Sequence, residues 1–314
     1  MRTSCLINNY NYAPYLPEAV DSVLRQTIPF DEIIVVDDGS TDGSPALLRE
    51  RYGGHSSIRI IAKQNEGQLS CFNRGFAVSH GDLIFFLDAD DVYENDYLER
   101  VCGVYRERPW CDFVFTASRF FGKQSGVQRL FKRDRDLGYS VVSSLVRRRW
   151  LGAQTSALSM RRPILEWCLE LPFQEDWRTM ADVCLVFGAS LAGARKYYLD
   201  APLIRYRVHD GNRHWGREQD AARSAQLRQA VERLFDYLVR RMGYNPAALL
   251  AEADREFISI PEPSFKELRR YGRLILRSRT GWRRKVRAIS TMIGHYRTGS
   301  GGRGGKHGAQ AESL

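Results

Sequence analysis

Two acidic clusters stand where they could do chemistry. Asp88-Ala89-Asp90-Asp91 follows the apolar run Leu83–Leu87, and Asp37-Asp38-Gly39-Ser40 follows the β-branched run Glu32–Val36. In an extended segment, residues i and i+2 face the same way, so Asp88 and Asp90 would bring two carboxylates together. Like charges that close repel unless a cation sits between them. Hard oxygen ligands suit Mg²⁺ or Mn²⁺, which bind through one or two carboxylates plus substrate phosphates. The same residues also serve a polar turn that caps the next helix, and D-x-D alone does not choose between the two. Asp37-Asp38-Gly39-Ser40 carries the same ambiguity.

The elements around these clusters alternate. Thr3–Asn8 reads as a buried strand, and Leu16, Ala19, Val20, Val23 and Leu24 recur at helical spacing. Strands follow at Glu32–Val36, Ile58–Ala62, Leu83–Leu87 and Asp112–Ala117, with helices at Ser44–Tyr52, Gln68–Ser79 and Asn95–Arg106 between them. This alternation predicts an α/β fold with a mostly parallel sheet covered on both faces. Both acidic clusters then fall beyond the carboxyl ends of strands, where such sheets bind ligands. The loop after the first strand, Asn8-Asn9-Tyr10-Asn11-Tyr12, has no glycine, which excludes a G-x-G-x-x-G dinucleotide site. A P-loop is also absent. A nucleotide bound here would need its pyrophosphate charge met differently, most simply by a metal ion.

Composition sets the outer bounds. The chain has 314 residues, 43% hydrophobic and 27% charged, an ordinary globular balance. The longest nearly apolar window, Ala181 to Ala194, is too short to span a bilayer and contains Asp182. The N-terminus lacks the apolar stretch of a signal peptide. Six scattered cysteines with no C-x-x-C read as reduced thiols, so a cytoplasmic protein is expected.

In order along the chain, Tyr10-Asn11, Ser22–Thr27, Glu32–Gly43, Asn65-Glu66-Gly67, Asn73-Arg74-Gly75, Leu87–Asp91 and Tyr206-Arg207-Val208-His209 closely resemble the family 2 glycosyltransferases. The resemblance covers about residues 3–210. It implies a GT-A fold, with a Rossmann-like nucleotide-binding half, and inverting transfer of a sugar from a nucleotide diphosphate donor. It further implies that Tyr10 stacks on the base, that Asp38 accepts from the base edge beside Asp37, and that Asp88 lies near ribose and metal. Asp90 would ligate a divalent cation, Mn²⁺ or Mg²⁺, and His209 would approach that metal and the diphosphate. Where the family usually has Pro-Thr-Tyr-Asn, this chain has Asn8-Asn9-Tyr10-Asn11, and Asn8 can still donate and accept at the base. Cys71-Phe72-Asn73 replaces Ala-Arg-Asn, so an arginine contact is missing there. A small-residue segment with Gly152, Thr155 and Ser156 would line the acceptor side, although it also reads as a plain loop and strand.

The family's base motif usually reads Glu-Asp before an apolar helix. The best match is Ala181-Asp182-Val183-Cys184-Leu185, with the Glu lost. A positioned carboxylate can take the proton of an attacking hydroxyl. Asp182 is the assigned base, because an ionisable residue leading an apolar helix needs a reason to be there; capping that helix is the rival reason. Glu175-Asp176, just upstream, is a second candidate.

The last third is different. From Arg223 onward there are 19 basic and 8 acidic residues, whereas residues 1–222 are nearly neutral. Leu227, Val231, Leu234, Leu238 and Met242 predict an amphipathic packing helix. Trp282, Val286, Ile289, Ile293 and Tyr296 form a second stripe among Arg283, Arg284, Lys285 and Arg287. This basic stripe suits an anionic membrane surface, packing on the catalytic domain or, less favoured, nucleic acid. The expected organisation is a transferase domain over residues 1–215, a helical basic extension over 216–297 and a disordered tail over 298–314. The catalytic sheet is expected to fold without the extension, and the protein to sit in the cytoplasm or peripherally at the inner membrane face. The partners are a nucleotide diphosphate sugar and a saccharide or lipid-linked acceptor. The alternative is a non-catalytic nucleotide-sugar-binding relic, or a basic adaptor for membrane or nucleic acid.

Overall fold

Runs such as Ile33–Val36 and Leu83–Leu87 have no polar face to give to water, so they form strands buried on both sides. The computed structural model describes residues 1–212 and 221–300. Its sheet contains β1 (Thr3–Asn9), β2 (Glu32–Asp37), β3 (Ile58–Ala62), β4 (Leu83–Asp88), β5 (Val92–Tyr93), β6 (Phe113–Gly122), β7 (Gly126–Gln128), β8 (Arg135–Gly138), β9 (Leu158–Arg161) and β10 (Lys196–Val208). The spatial order is β3-β2-β1-β4-β9-β6-β10-β5, with β7 on β6 and β8 on β10. β3, β2, β1 and β4 run parallel. β9 enters antiparallel between β4 and β6, and β6 and β10 are parallel again.

The helices are α1 (Leu16–Leu24), α2 (Ser44–Leu47), α3 (Gln68–Val78), α4 (Tyr97–Glu107), α5 (Val141–Arg147), α6 (Arg162–Cys168), α7 (Asp182–Leu191), α8 (Ala221–Arg241), α9 (Pro246–Ala251), α10 (Ala253–Ile258), α11 (Phe265–Arg277) and α12 (Trp282–Ser300). Strand alternation divides the core. Leu6, Ile34, Val36, Ile84 and Phe86 face α3, α6, α7 and α8. Cys5, Ile7, Ile33, Val35, Phe85 and Leu87 face α1 and α4. All six cysteines are free and buried, and all lie between Cys5 and Cys184. The helix expected over Ser44–Tyr52 is a single α turn followed by a wider π turn, Leu48–Tyr52. There the Tyr52 hydroxyl donates to Asp21 Oδ1 at 2.8 Å. The helix expected from Asn95 starts at Tyr97, and the Asn95 carbonyl accepts instead from Thr27 N–H at 2.8 Å.

Lys196 opens β10 with its side chain fully buried. Its ammonium donates to Leu151 O (2.9 Å), Val186 O (3.0 Å) and Ser190 Oγ (2.7 Å), tying α7 to the segment before Gly152. Burial holds its pKa well below the usual lysine range.

α8 places Leu234, Phe235 and Leu238 in the same core as α7. α10, α11 and α12 make a separate cluster of Phe257, Ile260, Tyr271, Leu274, Ile275, Ala288 and Met292, joined by Val142 of α5. Polar contacts also tie this region to the sheet. Buried Glu256 accepts from Val142 N–H (2.6 Å), Ser143 N–H (2.9 Å) and the Tyr271 hydroxyl (2.7 Å). Buried Glu267 pairs with Arg135 at 2.7 Å and Arg149 at 3.4 Å, and closes a capping box with Ser264.

The stripe predicted on α12 is split by this packing. Ile289 and Tyr296 lean on the helical cluster beside buried Ala288 and Met292, while Trp282, Val286 and Ile293 face outward. Helical spacing alone does not say which flank finds a partner. α12 also runs to Ser300, so residues 298–300 are helical, and the rest of the predicted tail lies outside the described residues. Among the described residues, no helix is long and apolar enough to cross a membrane.

Candidate functional site

The parallel register of β1 assembles the site. It sets Asn9 opposite Asp37 of β2 and Asn8 opposite Asp88 of β4. Four polar side chains thus line up along the carboxyl edge of the sheet. Asp37 turns inward, accepting from Asn9 Nδ2 at 2.7 Å and Ser40 N–H at 3.1 Å, so it braces the loop rather than lining a cavity. Asp38 does line one. Its carboxylate accepts from the Lys63 ammonium, from Glu66 N–H (2.9 Å) and from Gly67 N–H (2.7 Å). That leaves about one acceptor position for a ligand. Gly67 is needed here: its φ is +96°, and a Cβ would lie 2.2 Å from Arg178 Cα.

The cavity over this edge measures ≈ 140 Å³ and is lined by Asn8, Tyr10, Asp38, Asp88, Asp90 and Asn212, among others. Arg178 reaches its wall and donates to Asn65 O at 3.2 Å. A guanidinium is therefore present, although not from the Cys71-Phe72-Asn73 segment.

Charge is crowded at this edge. Asp88 Oδ1 accepts from Gln68 Nε2 at 2.8 Å, yet burial and the neighbouring charge of Asp90 push its pKa up, with a smaller push from Asp182. Asp91 is fully enclosed, held by Ser156 Oγ (2.6 Å) and Arg207 N–H (2.9 Å), and is likewise pushed up by burial and by Asp90. Asp90 Oδ2 faces His209 Nε2 at 3.0 Å and Asn212 Nδ2 at 3.4 Å. The His209 ring leans on Tyr15, with centroids 4.6 Å apart.

These groups suit a divalent cation. Asp88 and Asp90 supply hard oxygens under mutual repulsion that a cation would relieve, and buried Asn8 Oδ1 has no partner. Among the described residues, no three His, Cys, Asp or Glu side chains already form a coordination cluster. The expected metal set of Asp88, Asp90 and His209 is therefore not assembled as a cluster in this structure.

A second cavity of ≈ 340 Å³ lies between β6, β10 and the start of α7. Trp150, Tyr198, Gln154, Thr116 and Asp182 contribute to it, and Tyr206 lines both cavities. Thr116 Oγ1 is buried there without a partner. Asp182 leads α7, and burial pushes its pKa up to about 6. Asp176 lines neither cavity; it is ion-paired with Arg233 of α8 at 2.7 Å. Of the segment expected on the acceptor side, Gly152 lines this cavity, while Thr155 and Ser156 turn toward Gln68 and Asp91.

Sequence reasoning missed Gln68. Its amide bridges the two halves: Nε2 donates to Asp88, and Oε1 accepts from Ala181 N–H at 3.0 Å, next to Asp182. Its signal was its place directly after Asn65-Glu66-Gly67. Tyr206 was quoted within a motif but given no role, and Thr116 carried no signal.

The family model described as Glycosyl transferase family 2 matches residues 4–163. An uncharacterized glycosyltransferase of Nostoc sp. (strain PCC 7120) is 32% identical over 252 residues, covering 78% of this chain and 77% of the relative. Among solved structures, Staphylococcus aureus TarS 1–349 in complex with UDP-GlcNAc superposes with a TM-score of 0.58 at 17% identity, over 97% of this chain and 92% of that one. The mannosyltransferase PcManGT from Pyrobaculum calidifontis, in complex with GDP-Man and Mn²⁺, gives 0.52 at 15% identity, over 97% and 76%. At these identities the two structures establish a shared fold.

Proposed function

Since the chain belongs to glycosyl transferase family 2, we propose that it moves a sugar from a nucleotide diphosphate sugar to a hydroxyl of a saccharide or lipid-linked saccharide, with a divalent cation and with inversion. Residues 1–215 would be the transferase unit, and the helices beyond it an extension. The observation that carries this reading is the pair of cavities sharing Tyr206, with Asp88 and Asp90 in one and Asp182 in the other.

On the donor side, Asn8, Tyr10 and Asp38 would hold the nucleoside, with Asp37 bracing the loop beneath them. Asp90, Asp88 and His209 would hold the cation, which supplies positive charge to the departing diphosphate. On the acceptor side, the aromatic walls and Thr116 suit a hydroxylated ring. Asp182 accepts the acceptor hydroxyl's proton as that oxygen bonds to the anomeric carbon, and the bond from that carbon to the diphosphate oxygen breaks. With its pKa near 6, Asp182 is ionised at neutral pH and still basic enough to act. Peripheral association with the inner face of a membrane belongs to the same reading.

UDP-GlcNAc and GDP-Man, bound by the structural neighbours, are the first donors to try. Titration of UDP and GDP with and without Mn²⁺ should show binding that requires the metal, and donor breakdown should follow with one nucleotide sugar of a panel. Binding without breakdown of any donor would favour the relic; no nucleotide binding at all would sink both.

A further inference from the structure

The helical end carries an apolar strip that its own core does not use. α12 buries Ala288 and Met292, yet Trp282 remains 71% exposed, with Val286 and Ile293 exposed beside it within about 40° of helix arc. α11 buries Tyr271, Leu274 and Ile275, yet Phe265 is 59% and Leu276 51% exposed, about 20° apart. The two helices lie side by side in opposite directions. The Phe265 ring meets Tyr296 at 6.3 Å between centroids, and Lys285 Nζ donates to Leu276 O at 2.8 Å. The start of each helix therefore neighbours the end of the other, and the exposed apolar residues run along the hairpin.

Positive charge flanks this strip. Residues 264–297 hold eleven Lys and Arg and one acid, Glu267, which is buried against Arg135 and Arg149. Arg269 and Arg273 lie along α11, and Arg283 and Arg287 along α12; all four are exposed and have no acidic partner among the described residues. A phosphate backbone would be matched by the charge alone and would leave Leu276, Val286 and Ile293 unexplained. A lipid interface uses both parts.

We infer that the α11–α12 hairpin lies flat on an anionic bilayer, with Phe265, Leu276, Trp282, Val286 and Ile293 entering the interface and Arg269, Arg273, Arg283 and Arg287 meeting lipid phosphates. The inference rests on the membrane part of the proposed function, naming its surface and its lipid class, and it is independent of the sugar chemistry.

The test is sedimentation of the full chain with phosphatidylcholine vesicles, pure or with about one quarter phosphatidylglycerol, at about 0.05 M and about 1 M salt. The wild type should pellet with the anionic vesicles at low salt and much less with the neutral ones. Trp282→Ser with Ile293→Ser should weaken that partition by about tenfold or more. Arg283→Glu with Arg287→Glu should weaken it comparably at low salt and remove most of the salt dependence. All four positions are exposed, so circular dichroism should match the wild type. UDP titration with Mn²⁺ reads the donor site separately, and its failure in the wild type would count against the transferase reading and not against this surface. The inference is overturned by a wild type that stays in the supernatant with anionic vesicles, by an apolar double variant that binds as the wild type does, or by capture on duplex RNA without vesicle binding.

Discussion

The carboxyl edge of the sheet and the α11–α12 hairpin both hold charge without enough of the opposite sign, but they hold it in different solvents. Asp91 is enclosed, and Asp88 and Asp182 are half-buried in cavity walls, so desolvation raises their pKa values and their charge state depends on pH. Arg269, Arg273, Arg283 and Arg287 stand in water, where a charge costs little and dissolved salt screens it. The difference teaches which variable controls each region: protons at the sheet edge, ionic strength at the hairpin. A sheet edge indifferent to pH, or a hairpin indifferent to salt, would break the contrast.

The largest effect belongs at the edge. Asp182→Asn is nearly isosteric but is a far poorer proton acceptor, so turnover should fall by roughly 10²-fold or more with donor affinity retained. Normal turnover in Asp182→Asn, together with loss in Asp176→Asn, would move the base to the other carboxylate. Next comes the junction of the two regions. Glu267→Ala leaves Arg135 and Arg149 facing a buried gap, and urea unfolding should show a loss of about 3 kcal/mol. A loss within error of zero would mean that the helices rest on the sheet without bracing it.

The third prediction sets activity against stability at one group. With ionised Asp182 as the proposed base, kcat/KM should rise with pH and level off above about 6. Stability should run the other way. The folded carboxyl, with its pKa near 6, holds a proton that the unfolded chain releases near pH 4. This contribution is complete below pH 4 and is lost as pH rises through 6. Asp182→Asn should therefore be more stable than the wild type by about 3 kcal/mol at pH 8, with little difference at pH 4. Parallel urea titrations at the two pH values measure this directly, and equal differences would show that burial does not burden the group. The smallest effect concerns the cation: Asp90→Ala should weaken Mn²⁺-dependent UDP binding by about tenfold, and Asp88→Ala by less. Calorimetry giving wild-type affinity for Asp90→Ala would remove that residue from the metal set.

Much of this was legible along the chain because it is local. Apolar runs at Thr3–Asn8, Glu32–Val36 and Leu83–Leu87 define β1, β2 and β4 to within a residue, and their alternation puts the acids at one edge. What hid was contact over long separation. Gln68 meets Ala181 across 113 residues, and Asp176 reveals its partner only once α8 brings Arg233 beside it. Asp37 and Asp38 are adjacent and chemically identical, yet one faces the loop interior and the other the cavity, a choice made by β1 through Asn9. The short strands β5, β7 and β8 left no run long enough to show a period, and β10, the longest strand, has its register shifted around Pro202, so these strands went unread.

The six buried thiols turn the molecule into its own unfolding clock. Each must be uncovered before a thiol reagent can modify it, and they are spread over β1, α3, α4, α6, α7 and the turn before β6, with none in α8 to α12. Pulse labelling of the unmodified chain, read peptide by peptide in a mass spectrometer, would rank the opening of sheet segments without a single mutation. The helical end would stay silent throughout.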